Sequence, residues 1–222
     1  MFLQQDRIFS SRRTYDRSDL NMIVYRVIPD RANKKVFVYE EDLWALTQAG
    51  KTSAFPEDIF ESQPRQKAAD WHPPGIRWYD DDGRNIQRYK DPDITQIDLL
   101  SYLLGPRAAE LLRPVISDVA ELLPVPFQGE TWYFMNVFHR ADALDKANSH
   151  YMVYSTGEVS RALEKPAFFA DKVPHAKLFM LTGVRGRVYY AEHHPDDNPN
   201  TFKGAVEKNK LFGIRFGKVW EN

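Results

Sequence analysis

Two adjacent histidines followed by two aspartates form the group in this sequence that is most similar to a metal site. The residues are His193, His194, Asp196 and Asp197, and Zn²⁺ and Mn²⁺ accept imidazole and carboxylate ligands. Adjacent histidine side chains usually point in different directions, however, and neither His-x3-His nor His-Glu-x-x-His spacing is present. A solvated loop before a helix accounts for the pattern better, so we predict no metal ion and no cofactor.

A second group has the residue types of nucleophilic catalysis. It consists of Asp142, Asp145, Ser149, His150 and the distant His175. No Gly-x-Ser-x-Gly sequence places the serine on the sharp turn that presents a catalytic hydroxyl in many hydrolases. The i, i+3 spacing of the two aspartates also suits a cap or turn that orders the chain between strands. We therefore predict no catalytic residue here.

The other candidate motifs are incomplete. The aspartates at 80–82, with Asp91 and Asp93, lack the spacing and the distal glutamate of a calcium-binding loop. The segment 183–186 is too short for a phosphate-binding loop and has no Lys-Ser or Lys-Thr pair, so it predicts a β-turn. The aromatic run 131–138 contains no basic residue, so we do not expect it to bind nucleic acid.

The composition narrows the class of protein. The chain has 222 residues, a formal net charge of −1 and no cysteine. A near-neutral charge removes the general attraction to nucleic acid, and the absence of cysteine excludes disulfides and a thiol nucleophile. No apolar run approaches the roughly 20 residues that cross a bilayer. Because residues 1–21 also lack an apolar signal-peptide core, we expect a cytoplasmic protein that does not span a membrane.

The hydrophobic pattern predicts an α+β fold, mainly antiparallel sheet with a few short helices. Alternating or β-branched runs predict strands at 22–28, 36–39, 76–79, 86–89, 122–125, 131–138, 150–155, 177–181, 187–191 and 211–216. The first two strands are expected to pair with each other, and the third with the fourth through an Asp-Gly turn. Short helices are predicted at 41–48, after Gly105 and within 196–208, and Pro114 is expected to end or kink the second.

Three segments follow from these patterns. Residues 1–21 are polar and predict a loose N-terminal extension, residues 22–97 an N-terminal α+β lobe, and residues 98–222 a C-terminal α+β domain. Charge separates modestly along the chain, because residues 30–98 carry fourteen acidic and ten basic side chains. Residues 30–98, which we name the acidic lobe, therefore have a net charge of −4, which a basic partner would complement.

Aromatic residues lie beside the acidic ones in this lobe. Tryptophan and tyrosine are frequent hot spots of protein interfaces, and acidic groups steer basic partners toward them. An ordinary solvated surface would account for the same pattern. We predict that the partner-binding residues are Glu40, Glu41, Asp42, Trp78, Tyr79, Asp80, Asp81 and Asp82.

Three motifs in the second half resemble the polymorphic-toxin immunity proteins, most closely the immunity protein 11 type. They read Glu121-Leu-Leu-Pro-Val125, Tyr133-Phe-Met-Asn-Val137 and Asp142-Ala-Leu-Asp145. The resemblance extends to a closing strand, Gly213-Ile-Arg-Phe216, and covers about residues 98–220.

This resemblance implies a small cytoplasmic protein that binds a cognate secreted toxin's C-terminal domain and blocks its active site or substrate cleft. Such inhibition needs a large complementary surface and no catalysis. The alternative is a small cytosolic enzyme that reverses the toxin's modification, for which His150, His175 and His193 are the candidate residues. Alanine replacements that end protection but leave binding intact would favour the enzyme.

Overall fold

A computed structural model describes residues 22–30, 35–40, 66–79, 89–97, 101–184, 187–193, 198 and 200–222. Its strands are β1 (Met22–Pro29), β2 (Phe37–Tyr39), β3 (Ile76–Trp78), β4 (Ile94–Gln96), β5 (Tyr102–Leu104), β6 (Ala120–Phe127), β7 (Glu130–Val137), β8 (Arg140–Ala141), β9 (His150–Val153), β10 (Val159–Lys165), β11 (Leu178–Leu181), β12 (Val188–His193) and β13 (Ile214–Glu221). Its helices are α1 (Pro106–Ile116) and α2 (Phe202–Lys208). The predicted extension 1–21 and the predicted helix at 41–48 lie outside the described residues.

The predicted α+β fold of mainly antiparallel sheet is confirmed. One sheet has five strands in the order β13-β1-β12-β11-β8, and another has four in the order β4-β5-β7-β6. Two separate two-stranded sheets complete the described strands: the hairpin β9–β10, and a pair that we name the β2–β3 ribbon because its strands are far apart in the sequence. Only β8 and β11 run parallel within this part of the chain.

The predicted pairing of the first two strands is wrong. β1 pairs with β12 and β13, whereas β2 pairs with β3. The reason is that β1 is apolar on both faces: Met22 and Val24 enter one core and Val27 enters another. A strand of this kind gains most by lying inside a sheet that is covered on both sides. Residues 22–30 therefore share a sheet with the C-terminal strands.

Three hydrophobic cores are separated by the two sheets. The central core lies between the sheets and contains buried residues of both helices, including Leu112 and Phe202. The second core lies on the other face of the five-stranded sheet, under the hairpin β9–β10 and the loops around it. The third core lies on the other face of the four-stranded sheet, under the β2–β3 ribbon. The hairpin and the ribbon thus cover the two outer cores, on opposite sides of the central one.

The helices show how local signals and tertiary packing combine. Pro106 occupies the first turn of α1, where its missing N–H has no partner to lose. α1 continues to Ile116 with Pro114 inside it, so of the two expected effects of Pro114, an end or a kink, the end does not occur; burial of Leu112 and Ile116 holds the last turn in place. α2 begins after Thr201, whose hydroxyl accepts a hydrogen bond from Gly204 N at 3.1 Å. No helix in the described ranges is long and apolar enough to cross a membrane.

Candidate functional site

A hydrogen-bonded clamp joins two of the sequence motifs. The Glu121 carboxylate on β6 accepts a hydrogen bond from Asn136 Nδ2 on β7 at 2.8 Å. The same carboxylate accepts from the backbone N–H of Lys67 and, at 3.3 Å, from that of Ala68. Glu121 and Asn136 lie opposite each other in the β6–β7 register. These two motif residues therefore fasten the segment that leads into β3 onto the four-stranded sheet.

Trp71 extends this attachment toward the β2–β3 ribbon. Its indole Nε1 donates a hydrogen bond to Pro124 O at 2.7 Å, and its ring lies 5.6 Å from that of Phe134. An indole that buries its ring while its N–H finds a carbonyl satisfies both parts of the side chain. Five residues later β3 begins, so the clamp and Trp71 fix where Trp78 is placed.

Trp78 forms one wall of a cleft of about 240 Å³ at the edge of the third core. We name this feature the acidic aromatic cleft. Its lining residues come from β3, from the loop before β4 and from the β6–β7 turn: Trp78, Asp91, Phe127, Gln128, Glu130 and Trp132. Gln128 and Gly129 both have positive φ, at 48° and 84°, which tightens the turn between the two lining strands.

The aromatic walls of the cleft are rigid. Trp78 stacks on Phe37 with ring centroids 3.8 Å apart and an interplanar angle of 14°. Phe127 and Trp132 meet Trp78 edge to face at 5.6 and 5.7 Å. Offset stacking and edge contacts are the favourable geometries for aromatic pairs, and each is worth about 0.5–1.5 kcal/mol beyond burial. The cleft therefore presents preformed ring surfaces.

Two carboxylates and one lysine set the charge of the cleft. Lys35 forms an ion pair with Asp91, and its Nζ lies 5.3 Å from the centroid of the Trp78 ring. Glu130 is exposed at the start of β7. Among the described residues these three charges sum to −1. The placement of Lys35 also shows that the Trp78 ring accepts a cation in its immediate surroundings.

The predicted partner-binding residues occupy several places. Trp78 lines the cleft, and Tyr79 follows it with 40% of its surface exposed. Glu40 is exposed at the other end of the β2–β3 ribbon, where its N–H donates to Gly75 O at 3.0 Å. Because Phe37 pairs with Trp78, Glu40 lies three residues, about 10 Å, along β2 from the cleft. Glu41, Asp42, Asp80, Asp81 and Asp82 lie outside the described residues.

The tip of the β9–β10 hairpin is the feature that the sequence reasoning missed. Met152, Val153, Tyr154 and Val159 are 44%, 61%, 55% and 67% exposed. The tip is ordered, since Tyr154 N donates to Glu158 O at 2.8 Å and Gly157 N donates to Tyr154 O at 2.9 Å. Contiguous apolar residues on an ordered turn often mark an interaction surface. The run of apolar and aromatic residues at 151–154 was the available signal.

The candidate nucleophile has a structural role. Ser149 Oγ donates to Asp145 O at 2.6 Å and accepts from Ala167 N at 2.9 Å. The Asp145 carboxylate accepts from Asn148 Nδ2 and from the N–H groups of Ala147 and Asn148. These bonds, the Asn148 side chain first, lower the pKa of Asp145 below its ordinary value. The third motif is therefore a turn that orders the chain after β8.

The histidines do not form a described cluster. His150 begins β9 and His175 lies in the turn before β11, both exposed. His193 ends β12, while His194, Asp196 and Asp197 lie outside the described residues. In the ranges that the structure covers, no group of three or more His, Asp or Glu side chains is placed to hold a metal ion.

A buried ion pair lies on the central-core face of β12. Glu192 is 2% exposed and pairs with Lys203 of α2 at 3.3 Å, and Lys203 also reaches Glu207 at 3.3 Å. Burial opposes the charge on Lys203, but the two carboxylates outweigh it and raise its pKa. Burial also raises the pKa of Tyr25 beside the pair. At neutral pH the lysine stays charged and the tyrosine protonated, which suits structural pairing and leaves no activated nucleophile.

Comparison with known proteins does not identify a family for this chain. No family model matches the chain, and no curated protein matches it. The resemblance to the immunity proteins therefore stays a prediction that rests on the three motifs and the closing strand.

Proposed function

We propose that this chain is an immunity protein that binds the C-terminal domain of a cognate secreted toxin and blocks its active site or substrate cleft. The acidic aromatic cleft carries the proposal. Its rigid rings and its exposed Glu130 form a receptor of the right chemistry for an arginine or lysine side chain. A basic surface is common around clefts that act on nucleic acid or nucleotides, so a toxin of that kind would supply such an anchor.

The motif resemblance supports the class of partner, and the cleft supports the mode of contact. A stable protein interface usually buries about 1,600 Å² in total, so the cleft serves as the anchor of a larger surface. Tyr79, exposed beside Trp78, extends that surface. The hairpin tip lies over the second core, on the opposite side of the central core. A single compact partner would therefore contact the cleft or the tip, and the charge of the cleft favours the first.

The test begins with affinity capture of the tagged chain from its native cells, followed by mass spectrometry of stoichiometric partners. We expect recovery of a secreted toxin's C-terminal domain. The captured domain is then produced with and without this chain, and survival of the producing cells is measured. The Glu130→Lys variant should slow association about tenfold or more and reduce protection, because it reverses the exposed charge of the cleft.

Glu110→Lys is the matched control, since Glu110 is exposed on α1 and takes no part in the cleft. Equal association rates for the two variants would remove the cleft from the interface, and capture of the toxin would still support the function. Protection by substoichiometric amounts of chain without a complex would contradict the proposal and favour the enzyme alternative. Alanine variants of His150 and His175 would then be the next measurement.

A further inference from the structure

Three arginines share the outer face of the five-stranded sheet. Arg26 on β1 lies opposite Tyr189 on β12, and Ile28 on β1 lies opposite Arg215 on β13. Side chains two residues apart on a strand, or directly opposite on neighbouring strands, point to the same face. Arg187 directly precedes β12, and its charge acts on both Arg26 and Tyr189, so it lies beside them. We name Arg26, Arg187, Arg215 and Tyr189 the arginine cluster.

Two buried donors in this cluster lack an acceptor. They are Arg26 Nε and the hydroxyl of Tyr189, a residue that is 0% exposed. The Arg187 guanidinium acts on that hydroxyl, but it can only donate to it, so the hydroxyl proton still has no acceptor. Arg187 is held in place, because its Nη1 donates to Leu163 O of β10 at 2.6 Å. Buried donors are almost always bonded, and here two unsatisfied ones belong to residues that face each other across adjacent strands. An acceptor between them would satisfy both.

The positive charges of the cluster also favour a negatively charged acceptor. Burial, and then the positive charges of Arg187 and Arg215, lower the pKa of Arg26. In the described part of the chain, none of the three guanidinium groups forms an ion pair with a carboxylate. Arg26 and Arg187 are half-buried, whereas Arg215 is exposed. Half-buried cations that repel one another are costly unless a counter-charge is present. A bound anion would supply that charge.

We propose that the arginine cluster binds a phosphate-class oxyanion, either free phosphate or the phosphate group of a small ligand. Guanidinium groups bind tetrahedral oxyanions through paired N–H donors, and the cluster presents them from β1, from β13 and from the residue before β12. The Tyr189 hydroxyl adds one more donor. This site lies on the face of the second core, away from the acidic aromatic cleft, so it is independent of the toxin-binding proposal.

The test is the thermal unfolding of the intact chain at constant ionic strength, with chloride replaced stepwise by inorganic phosphate. A ligand that binds only the folded state raises Tm in proportion to its occupancy. We expect phosphate to raise Tm above the chloride baseline, and acetate at the same ionic strength to raise it less. Isothermal calorimetry with phosphate and with a phosphate monoester then distinguishes the free ion from the ligand-borne group.

Arg26→Gln should weaken phosphate binding at least about tenfold, because it removes a charged donor. Tyr189→Phe should weaken it by a smaller factor. Lys218→Gln is the matched control, since it removes the same charge from an exposed position on β13; it should bind phosphate like the native chain. Arg187→Gln replaces Arg26→Gln if the latter does not fold.

Either of two results would overturn the proposal itself, and a third would overturn its phosphate assignment. One is the absence of any phosphate effect on Tm beyond that of chloride. The other is equal binding of phosphate by the native chain and by the Arg26→Gln and Arg187→Gln variants, since the donors that we assign would then not be used. Equal effects of acetate and phosphate would assign the site to a carboxylate and overturn the phosphate assignment.

Discussion

Replacing Glu121 with alanine tests whether the clamp holds the wall of the acidic aromatic cleft. The carboxylate accepts hydrogen bonds from two backbone N–H groups, those of Lys67 and Ala68, and from Asn136 Nδ2. A hydrogen bond to a charged acceptor contributes roughly 1.5–3 kcal/mol when it is sheltered. Glu121 is only half-buried, so water recovers part of that loss. We expect the free energy of unfolding to fall by about 2–4 kcal/mol.

Glu121→Ala should also raise local hydrogen exchange in the attached segment more than in the rest of the chain. Without the clamp, the segment 66–71 keeps the Trp71 hydrogen bond to Pro124 as its described attachment to β6. The amides of residues 67, 68 and 76–78 should therefore exchange faster with solvent, while those of β12 stay protected. Urea denaturation measures the free energy of unfolding of the whole chain, and hydrogen exchange with mass spectrometry measures the exchange rates of these amides.

Two comparisons decide the result. Glu164→Ala removes an exposed carboxylate from β10 and should cost less than about 0.5 kcal/mol. A double-mutant cycle of Glu121→Ala with Asn136→Ala should give a coupling energy of about 1 kcal/mol. If Glu121→Ala destabilises no more than Glu164→Ala does, or if exchange rises evenly across the chain, the clamp does not position β3.

Three further changes test other parts of the structure. Gly213→Ala should lower the free energy of unfolding by more than about 4 kcal/mol or prevent folding, because φ is 119° and the added Cβ would lie 1.8 Å from Ile94 O; circular dichroism during urea denaturation measures this. Ser149→Ala should cost about 1–2 kcal/mol in the same assay and leave protection from the toxin unchanged, and loss of protection with normal stability would restore the nucleophile hypothesis. The lowered pKa of Asp145 contributes stability that is present above about pH 3.8 and is lost as pH falls through the lowered pKa, so Asp145→Ala should flatten the acid limb of the plot of unfolding free energy against pH.

Sequence patterns predicted most described strands because burial alternates along them. In β7, Trp132 and Phe134 enter the third core while Met135 and Val137 enter the central one. β10 was missed because its sequence, Val-Ser-Arg-Ala-Leu-Glu-Lys, buries little beyond Ser160 and Leu163 and depends on pairing with β9. The partners of β1 lie more than 150 residues away in the sequence, and local patterns do not encode that choice.

Of the predicted partner-binding residues, Trp78 lines the candidate cleft and Tyr79 follows it in the chain; their role in binding stays a prediction. The sequence does not reveal that Phe37 stacks on Trp78 and turns a presumed exposed ring into the wall of a cleft. It also does not reveal that Asp91 and Glu130 meet there, because they reach the cleft from different segments. The pair of positive φ values at Gln128 and Gly129 brings the two strands of β6 and β7 together at that point, and glutamine is an unusual residue for such a turn.

The clamp and the cleft use different residues, which explains why the motifs suggest a family and leave the partner unnamed. Glu121 and Asn136 use their polar side chains to attach one segment of this chain to another, and Asp145 uses its carboxylate to order its own turn. The cleft, by contrast, is lined at the far end of the same hairpin by Gln128 and Glu130, whose side chains are not used by the clamp. Substitutions at the turn can therefore change the charge and shape offered to a partner while the clamp keeps the aromatic wall in place. The two variants should accordingly have different effects. Glu130→Lys should change the rate of association with the partner and leave the free energy of unfolding unchanged, whereas Glu121→Ala should lower the free energy of unfolding and leave the charge of the cleft unchanged.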